Sequence, residues 1–173
     1  MRIGFIGAGK VGFTFGKYIT TKMVVSKPEH IQLEVSGYYS AHSESAADAA
    51  EFTETVMYNS LEELCSNSEV IFLTVPDGQI GEVWRRLKDL DIRGKIICHA
   101  SGAMTSDIFS GITEAGAFGY SIHPMYAISS KYESYKEVDN SFFTVEGDDR
   151  YADRICSVIE LSLIHISEPT RPY

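Results

Sequence analysis

The stretch RIGFIGAGKVGFTFGKYI, Arg2–Ile19, is the part of this 173-residue chain that most clearly indicates its fold. Its first part, RIGFI, is apolar enough for a buried strand and ends at Gly7. After Gly12, Phe15 and Ile19 continue the spacing of Val11, which is typical of one helix face. The glycine-rich segment GAGKVG therefore connects a strand to a helix. A lone G-x-G-x-x-G is weak evidence of dinucleotide binding, so its function must be judged from the surrounding sequence.

Short apolar runs alternate with amphipathic ones along the rest of the chain. Further strands are predicted at residues 31–39, 55–59, 69–75, 95–100, 117–122 and 141–147. Helices are predicted at 43–52, after a capping box formed by Ser60 and Glu63, after a cap at Asp77, and after Met104. This alternation predicts an α/β fold with a doubly wound, mostly parallel sheet of the Rossmann type.

Composition limits the classes of partner. A chain of this length with 44% hydrophobic residues can bury one core. Its net charge of −9 argues against a nucleic acid or an anionic membrane surface as partner, and no apolar run is long enough to cross a membrane. The cysteines lack a disulfide or metal-ligand pattern, which suggests a reducing cytoplasm and no metal site; they are Cys65, Cys98 and Cys156.

The context of GAGKVG favours a dinucleotide-binding loop. It follows a strand, opens a helix and begins a βαβ unit. Gly7 permits the tight turn, Gly9 lets the backbone approach a diphosphate, and Gly12 lets the helix pack close to the strand. The phosphates would meet free amides at the helix N-terminus. The alternative is a glycine-rich turn that binds no nucleotide. The expected cofactor-binding residues are Gly7, Ala8, Gly9, Lys10, Val11 and Gly12.

The end of the second predicted strand, YYSAHSES, bears on the choice of dinucleotide. An NAD site usually has a carboxylate there for the ribose hydroxyls, but Glu34 lies too early in the strand. Ser40, His42 and Ser43 stand where a 2′-phosphate could be held, so NADP is favoured over NAD. The alternative is that these residues only form a polar turn and cap the next helix. This turn contains no arginine.

Three later stretches, TVPDGQI, HASGAM and SIHPMY, each follow a predicted strand. Ligands of a doubly wound sheet bind outside the carboxyl ends of its strands, so these stretches share the cofactor edge. Further cofactor contacts are therefore expected from Val75, Pro76, Asp77, Ser101 and Gly102, the last two near the nicotinamide ring.

His123 and Ser101 are the candidate catalytic residues. Hydride transfer belongs to the nicotinamide, so the protein must position it and move a proton. Histidine can carry that proton at neutral pH, and Ser101 can donate a hydrogen bond. His99 is a weaker candidate, since it ends a buried strand. The alternative for His123 is a hydrogen bond to a backbone carbonyl that only shapes the loop before Pro124.

Four stretches together, FIGAGKVG, VIFLTVPDGQI, ICHASGAMTSDIF and GYSIHPMYAI, resemble the Rossmann-like proteins that carry a helical C-terminal domain of unknown function, number 2520. That family is similar to pyrroline-carboxylate, ketopantoate and deazaflavin-dependent NADP reductases. The resemblance covers Arg2 to about Glu160. It implies an NADP oxidoreductase with a small-molecule substrate and a helical domain that completes the substrate pocket and forms a homodimer. The family often has arginine after the second strand, where this chain has Ala41 and His42.

The composition changes abruptly at LSLIHISEPTRPY, residues 161–173, where two prolines prevent an ordinary helix. This string resembles a translated sequencing adapter. The expected organisation is therefore a dinucleotide-binding domain over residues 1–160 and a non-native tail over 161–173, with the helical C-terminal domain missing.

Two classes of function remain open at this point. The first is the cofactor-binding half of an NADP-dependent oxidoreductase that transfers a hydride to or from a small substrate. The second is a non-catalytic dinucleotide-binding sensor. A proton donor in the missing domain, facing the nicotinamide, would distinguish them.

Overall fold

A six-stranded sheet with helices on both faces organises the chain. The computed structural model describes residues 1–23, 33–153 and 155–156. The strands are β1 (Arg2–Ile6), β2 (Glu34–Tyr39), β3 (Val70–Leu73), β4 (Ile96–His99), β5 (Phe118–Pro124) and β6 (Phe143–Gly147). The helices are α1 (Lys10–Met23), α2 (Ser43–Thr53), α3 (Leu61–Asn67) and α4 (Asp77–Leu87), with 3₁₀ turns at Ser106–Ile108 and Ser134–Asn140.

The strands lie in the order β2-β1-β3-β4-β5-β6. Neighbours from β2 through β5 are parallel, and β6 runs antiparallel to β5. The chain moves from β1 to β2 on one side and then crosses to β3 on the other. Strand order therefore reverses at β1, which is where open α/β sheets bind ligands. The predicted α/β, mostly parallel sheet is confirmed.

Successive residues of the central strands face opposite sides of the sheet. Phe5 and Phe72 join the core beneath α1 and α2, whereas Ile6 and Ile71 join the core beneath α3 and α4. Phe5 is fully buried, and its ring stacks on Phe72 with centroids 5.8 Å apart. Because both faces of the sheet are covered, the strands need apolar residues at every position, and this explains their continuous apolar runs.

The strand predicted at residues 55–59 is wrong. Met57 forms only an isolated parallel bridge with Tyr38, through bonds from Tyr38 N–H to the Val56 carbonyl and from Tyr58 N–H to the Tyr38 carbonyl, both 2.8 Å. Val56 is 53% exposed, so this segment covers the outer edge of β2 without burying enough apolar surface to extend the pairing.

The helix predicted after Met104 is also wrong. Only the 3₁₀ turn Ser106–Ile108 and further turns connect β4 to β5. Gly111 and Gly116 have φ of +81° and +73°, in the left-handed region that interrupts a right-handed helix.

The predicted helix caps differ in outcome. Ser60 caps α3 as expected, accepting a bond of 3.2 Å from the Glu63 N–H, while the Glu63 carboxylate accepts from Asn59 N–H at 2.9 Å instead of from Ser60. The predicted side-chain cap at Asp77 is wrong: Pro76 occupies the cap position of α4, and Asp77 is its first residue.

Some predictions concern residues that the structure does not describe. The start of the strand predicted at 31–39 and the tail 161–173 lie outside the described residues. Cys65 and Cys98 are buried and free, and burial raises the pKa of both thiols. Among the described residues, no helix combines the length and apolar character that crossing a membrane requires.

Candidate functional site

The glycine-rich loop is held at the ends of three strands. Gly7 has φ of +100°, which an L side chain rarely adopts, and its N–H donates to the carbonyl of Tyr39 at the end of β2, at 2.8 Å. Its own carbonyl accepts a 2.7 Å bond from the hydroxyl of Thr74, which follows β3. The loop is therefore fixed to both neighbours of β1.

Thr74 is a residue that the sequence reasoning missed. It is 8% exposed, and its backbone N–H also donates to the Ile6 carbonyl at 2.8 Å. A Cβ built on Gly12 would lie 2.7 Å from the Gly7 carbonyl oxygen and 2.8 Å from Thr74 Oγ1. The predicted role of Gly12 in close packing is thus specific: its missing side chain leaves room for the Thr74–Gly7 hydrogen bond.

Gly9 is placed differently. A Cβ built there would meet only the Thr74 carbonyl oxygen, at 3.9 Å, and its φ is not in the left-handed region. The first bond of α1 runs from the Phe13 N–H to the Gly9 carbonyl at 3.0 Å, so the first-turn amides before it have no intrahelical acceptor. An anion could approach these amides across Gly9 without a side chain in the way.

A cleft of about 580 Å³ opens in front of this loop, between the ends of β1, β2 and β3 and the start of α4. Its size is typical of small-molecule sites. Its walls are formed by Ile6, Gly7, Ala8, Gly9, Tyr39, Ser40, Ala41, His42, Ser45, Thr74, Val75, Pro76, Gln79, Glu82, Val83, Arg86 and Lys131.

The predicted cofactor-binding residues divide into two groups. Those that line the cleft are Gly7, Ala8, Gly9, Ser40, His42, Val75 and Pro76. In the described part of the chain, the cleft wall does not include Lys10, Val11, Gly12, Ser43, Asp77, Ser101 or Gly102. At the turn after β2, the Ser40 hydroxyl accepts from His42 N–H at 3.2 Å, and His42 caps α2 without a side-chain bond. The His42 imidazole is exposed and faces the cleft.

Ser45, Arg86 and Lys131 line the cleft but were not expected there. The helical spacing could have indicated Arg86: Gln79, Val83 and Arg86 share one face of α4, next to the face of the buried residues Ile80, Trp84 and Leu87. Arg86 lies in the last turn of α4, far along the chain from the end of β3, so the pattern of strand ends does not indicate it.

Lys131 reaches the cleft through aromatic packing. The next residue, Tyr132, packs edge-on against Phe13 of α1 and Phe52 of α2, with centroid distances of 5.5 and 5.2 Å. Its hydroxyl donates to Asp48 at 2.9 Å. These contacts place the Lys131 ammonium 4.6 Å above the Phe13 ring. No local sequence pattern predicts this position.

The ends of β4 and β5 form a second part of the same sheet edge. His123 Nδ1 lies 3.0 Å from the Ala100 carbonyl oxygen, which can only accept, so Nδ1 carries the proton. Nε2 of a neutral His123 is then the acceptor. A Cβ built on Gly102 would lie 2.7 Å from His123 Nε2, so the imidazole packs directly on this glycine. Ser101 is 6% exposed, and its hydroxyl accepts from Ala103 N–H at 3.1 Å. The fold thus brings His123 and the 101–102 turn together.

His99 is fully buried. Its Nδ1 accepts from Ser101 N–H at 3.2 Å and its Nε2 lies 3.1 Å from the Thr105 carbonyl, so the neutral Nε2–H tautomer satisfies both contacts. Burial lowers the pKa of His99, and the bond with Thr105 and the charges of Glu146 and Asp77 oppose that shift. His99 therefore holds the 100–105 turn as a neutral group.

This arrangement predicts that stability falls in acid because of His99. The imidazole in the unfolded chain takes up a proton near pH ~6.5, whereas the folded protein, with its lowered pKa, resists it. The contribution is complete above that pH and is lost as pH falls towards the folded pKa. Denaturant unfolding between about pH 7.5 and 5.5 measures the slope. His99→Gln, which can still donate to Thr105, should reduce that slope; an unchanged slope would contradict the assignment.

Comparisons with known proteins agree with this architecture. BF3122 from Bacteroides fragilis, a candidate NADP oxidoreductase, superposes with a TM-score of 0.76 at 17% identity, covering 96% of this chain and 59% of that one. An imine reductase from Bacillus cereus gives 0.71 at 13% identity, covering 98% and 54%. An imine reductase variant from Myxococcus stipitatus, solved with NAD+, gives 0.69 at 12%, covering 96% and 52%.

This chain therefore spans between half and three fifths of the length of these structures. A search of curated proteins found no match. A family model of the Rossmann-like domain matches residues 1–124, which is more than half of the sequence and includes β1 through β5. The chain belongs to the Rossmann-like domain family.

Proposed function

We propose that this chain is the cofactor-binding part of an NADP-dependent oxidoreductase that acts on a small molecule. One observation carries the proposal: the glycine-rich loop, at Gly7, Ala8 and Gly9, opens onto a cleft of about 580 Å³ where the strand order reverses. The structural neighbours support it, since one is solved with NAD+ and another bears the description of an NADP oxidoreductase. When bound, the nicotinamide would supply or accept the hydride.

In this proposal the loop binds the diphosphate and the turn after β2 binds the adenosine ribose. The backbone at Gly9 and the first-turn amides of α1 would donate to phosphate oxygens. Ser40 and His42 line the cleft beside the end of β2, where a ribose 2′-phosphate would lie. We infer a preference for NADP over NAD from these polar groups and from the lack of a carboxylate in this turn.

We further propose that His123 and Ser101 act near the nicotinamide. The Nδ1–H donated to the Ala100 carbonyl fixes the His123 ring and leaves Nε2 able to exchange a proton with substrate. Ser101, buried beside it on the neighbouring strand end, has a hydroxyl proton to donate while its oxygen accepts from Ala103. Both residues would position or protonate the reacting group, which the remainder of the enzyme would complete.

The proposed organisation is a dinucleotide-binding domain over residues 1–160 and a non-native tail over 161–173. The native protein would continue into a helical domain that closes the substrate pocket and forms a homodimer, in the cytoplasm. This chain covers only 59% and 54% of the first two structural neighbours, which supports this proposal.

Titration of the purified chain with NADPH and NADH, followed by nicotinamide fluorescence and calorimetry, tests the function. We expect saturable binding, with NADPH tighter. A form that ends at Glu160 should match the 173-residue chain within about two-fold in dissociation constant, which is under 0.5 kcal/mol. No binding of either nucleotide at about 1 mM would overturn the proposal.

A further inference from the structure

We infer that Arg86 of α4 selects NADP by binding the 2′-phosphate, in place of an arginine in the turn after β2. This inference rests on the proposed function, because it requires that the cleft bind a nicotinamide dinucleotide. It adds a specificity residue from an element of the fold other than the Ser40–His42 turn, namely α4.

The position of Arg86 supports this assignment. Its side chain is exposed and lines the cleft, and its Nη2 lies 3.4 Å from the hydroxyl of Tyr39, the last residue of β2. The guanidinium therefore contacts the side chain of the residue next to Ser40, and it lines the same cleft as Ser40 and His42. A contact of 3.4 Å is long for a hydrogen bond, and it uses only one of the five N–H donors of the group. The planar fork remains available for phosphate oxygens.

The charges around the cleft point to the same residue. The charged residues of the wall are Glu82, Arg86 and Lys131. Lys131 lies over Phe13, beside the first turn of α1, with its Nζ 4.0 Å from the Asp48 carboxylate. Within the described residues, Arg86 has no salt bridge shorter than 4.0 Å. In a chain of net charge −9, a dianionic phosphate needs such a local cation.

The helix beneath Arg86 is firmly anchored. Trp84 is 3% exposed, and its indole N–H donates to the Ser110 carbonyl at 3.0 Å. Ile80 and Leu87 are buried beside it. The backbone that carries Arg86 is therefore fixed relative to the sheet, so a small movement of the side chain alone could bring it to a ligand.

Two simpler roles for Arg86 are distinguishable. It lies with Arg85 in the last turn of α4, where positive charge offsets the helix dipole, but of the two it is Arg86 that lines the cleft. Its charge also reaches Glu62 of α3, whose pKa is lowered first by its backbone hydrogen bond, then by Ser60, and last by Arg86. Arg85 shares the dipole role but not the cleft, so it is the matched control.

The test compares NADPH and NADH binding to the whole chain, the Arg86→Ala and Arg86→Lys variants, and Arg85→Ala. Loss of charged hydrogen bonds should weaken NADPH binding to Arg86→Ala by about 10- to 100-fold and leave NADH within about three-fold. Arg86→Lys should retain part of the preference, since charge remains but the bidentate fork does not. Arg85→Ala should bind both nucleotides as the unsubstituted chain does.

Other outcomes would overturn the inference. An equal loss for both nucleotides would mean that Arg86 packs on the adenosine. An unchanged NADPH preference in Arg86→Ala, or its loss in Lys131→Ala, would place the phosphate elsewhere. If the unsubstituted chain prefers NADH, and Glu82→Gln removes that preference, then Glu82 binds the ribose hydroxyls. Failure of the unsubstituted chain to bind either nucleotide would instead overturn the proposed function, so the two failures are separable.

Discussion

Gly9→Val should greatly weaken dinucleotide binding and leave the fold intact. Added to Gly9, a Cβ has no protein atom nearer than 3.9 Å, and the φ there suits an L residue. The valine methyl groups would project into the space through which a diphosphate reaches the α1 amides. We expect NADPH affinity to fall by about 100-fold or more, equivalent to roughly 3 kcal/mol. Gly9 precedes the first residue of α1, and valine is a poorer cap than glycine, so stability should fall by less than about 1 kcal/mol.

Thermal unfolding and NADPH titration on the same samples separate the two effects. Gly78→Val is a suitable control, because Gly78 is exposed, has open space around its Cβ position and is absent from the cleft wall. It should bind NADPH normally. If Gly9→Val also binds normally, the diphosphate does not cross Gly9, and the assignment of this loop is wrong.

The features predicted correctly from the sequence depend on neighbours along the chain. Strand β3 could be recognised because burial on both faces requires apolar residues at each position, as at Ile71 and Phe72. The loop could be recognised because Gly7 stands between a strand and a helix, and its φ of +100° requires glycine. The Ser60 cap follows from the same local logic.

The features that sequence reasoning missed depend on tertiary contacts. Thr74 is the residue after β3, and nothing nearby in sequence shows that its hydroxyl binds the carbonyl of Gly7. Lys131 reaches the cleft because Tyr132 packs on Phe13 and Phe52. The helical spacing places Arg86 on an exposed face of α4, but the same spacing is typical of a solvent-exposed surface. Only the contact with Tyr39 of β2 shows that this face borders the cleft.

The errors have the same origin. Residues 55–59 include β-branched and aromatic side chains, which favour a strand. This segment nevertheless forms only two backbone hydrogen bonds with β2. Local propensity was sufficient to predict an extended segment, and insufficient to predict its pairing. Sequence patterns therefore indicated several cleft-lining residues beside the ends of β1, β2 and β3, and none of those supplied by the exposed face of α4 or by the loop at Lys131.

Gly12→Ala should destabilise the fold itself, in contrast to the substitution at Gly9. Its new Cβ would lie 2.7 Å from the Gly7 carbonyl oxygen and 2.8 Å from Thr74 Oγ1, the two atoms of a buried 2.7 Å hydrogen bond. Gly7 cannot withdraw freely, since its N–H is bonded to the Tyr39 carbonyl. Overpacking and a lost buried bond together should cost about 3 kcal/mol. For a chain of this length that lowers the melting temperature by about 10 °C.

A double substitution makes this expectation specific to the Thr74 contact. Thr74→Ala removes the hydroxyl and should itself cost about 1–3 kcal/mol, because the Gly7 carbonyl loses its partner. With the hydroxyl gone, one of the two clashes of Gly12→Ala also disappears. The nearest remaining Thr74 side-chain atom is Cβ at 3.7 Å, an ordinary contact. The double variant should therefore be more stable than the sum of the single effects allows, by about 1 kcal/mol or more. Strict additivity, or a Gly12→Ala variant as stable as the unsubstituted chain, would show that the glycine is not required by this hydrogen bond.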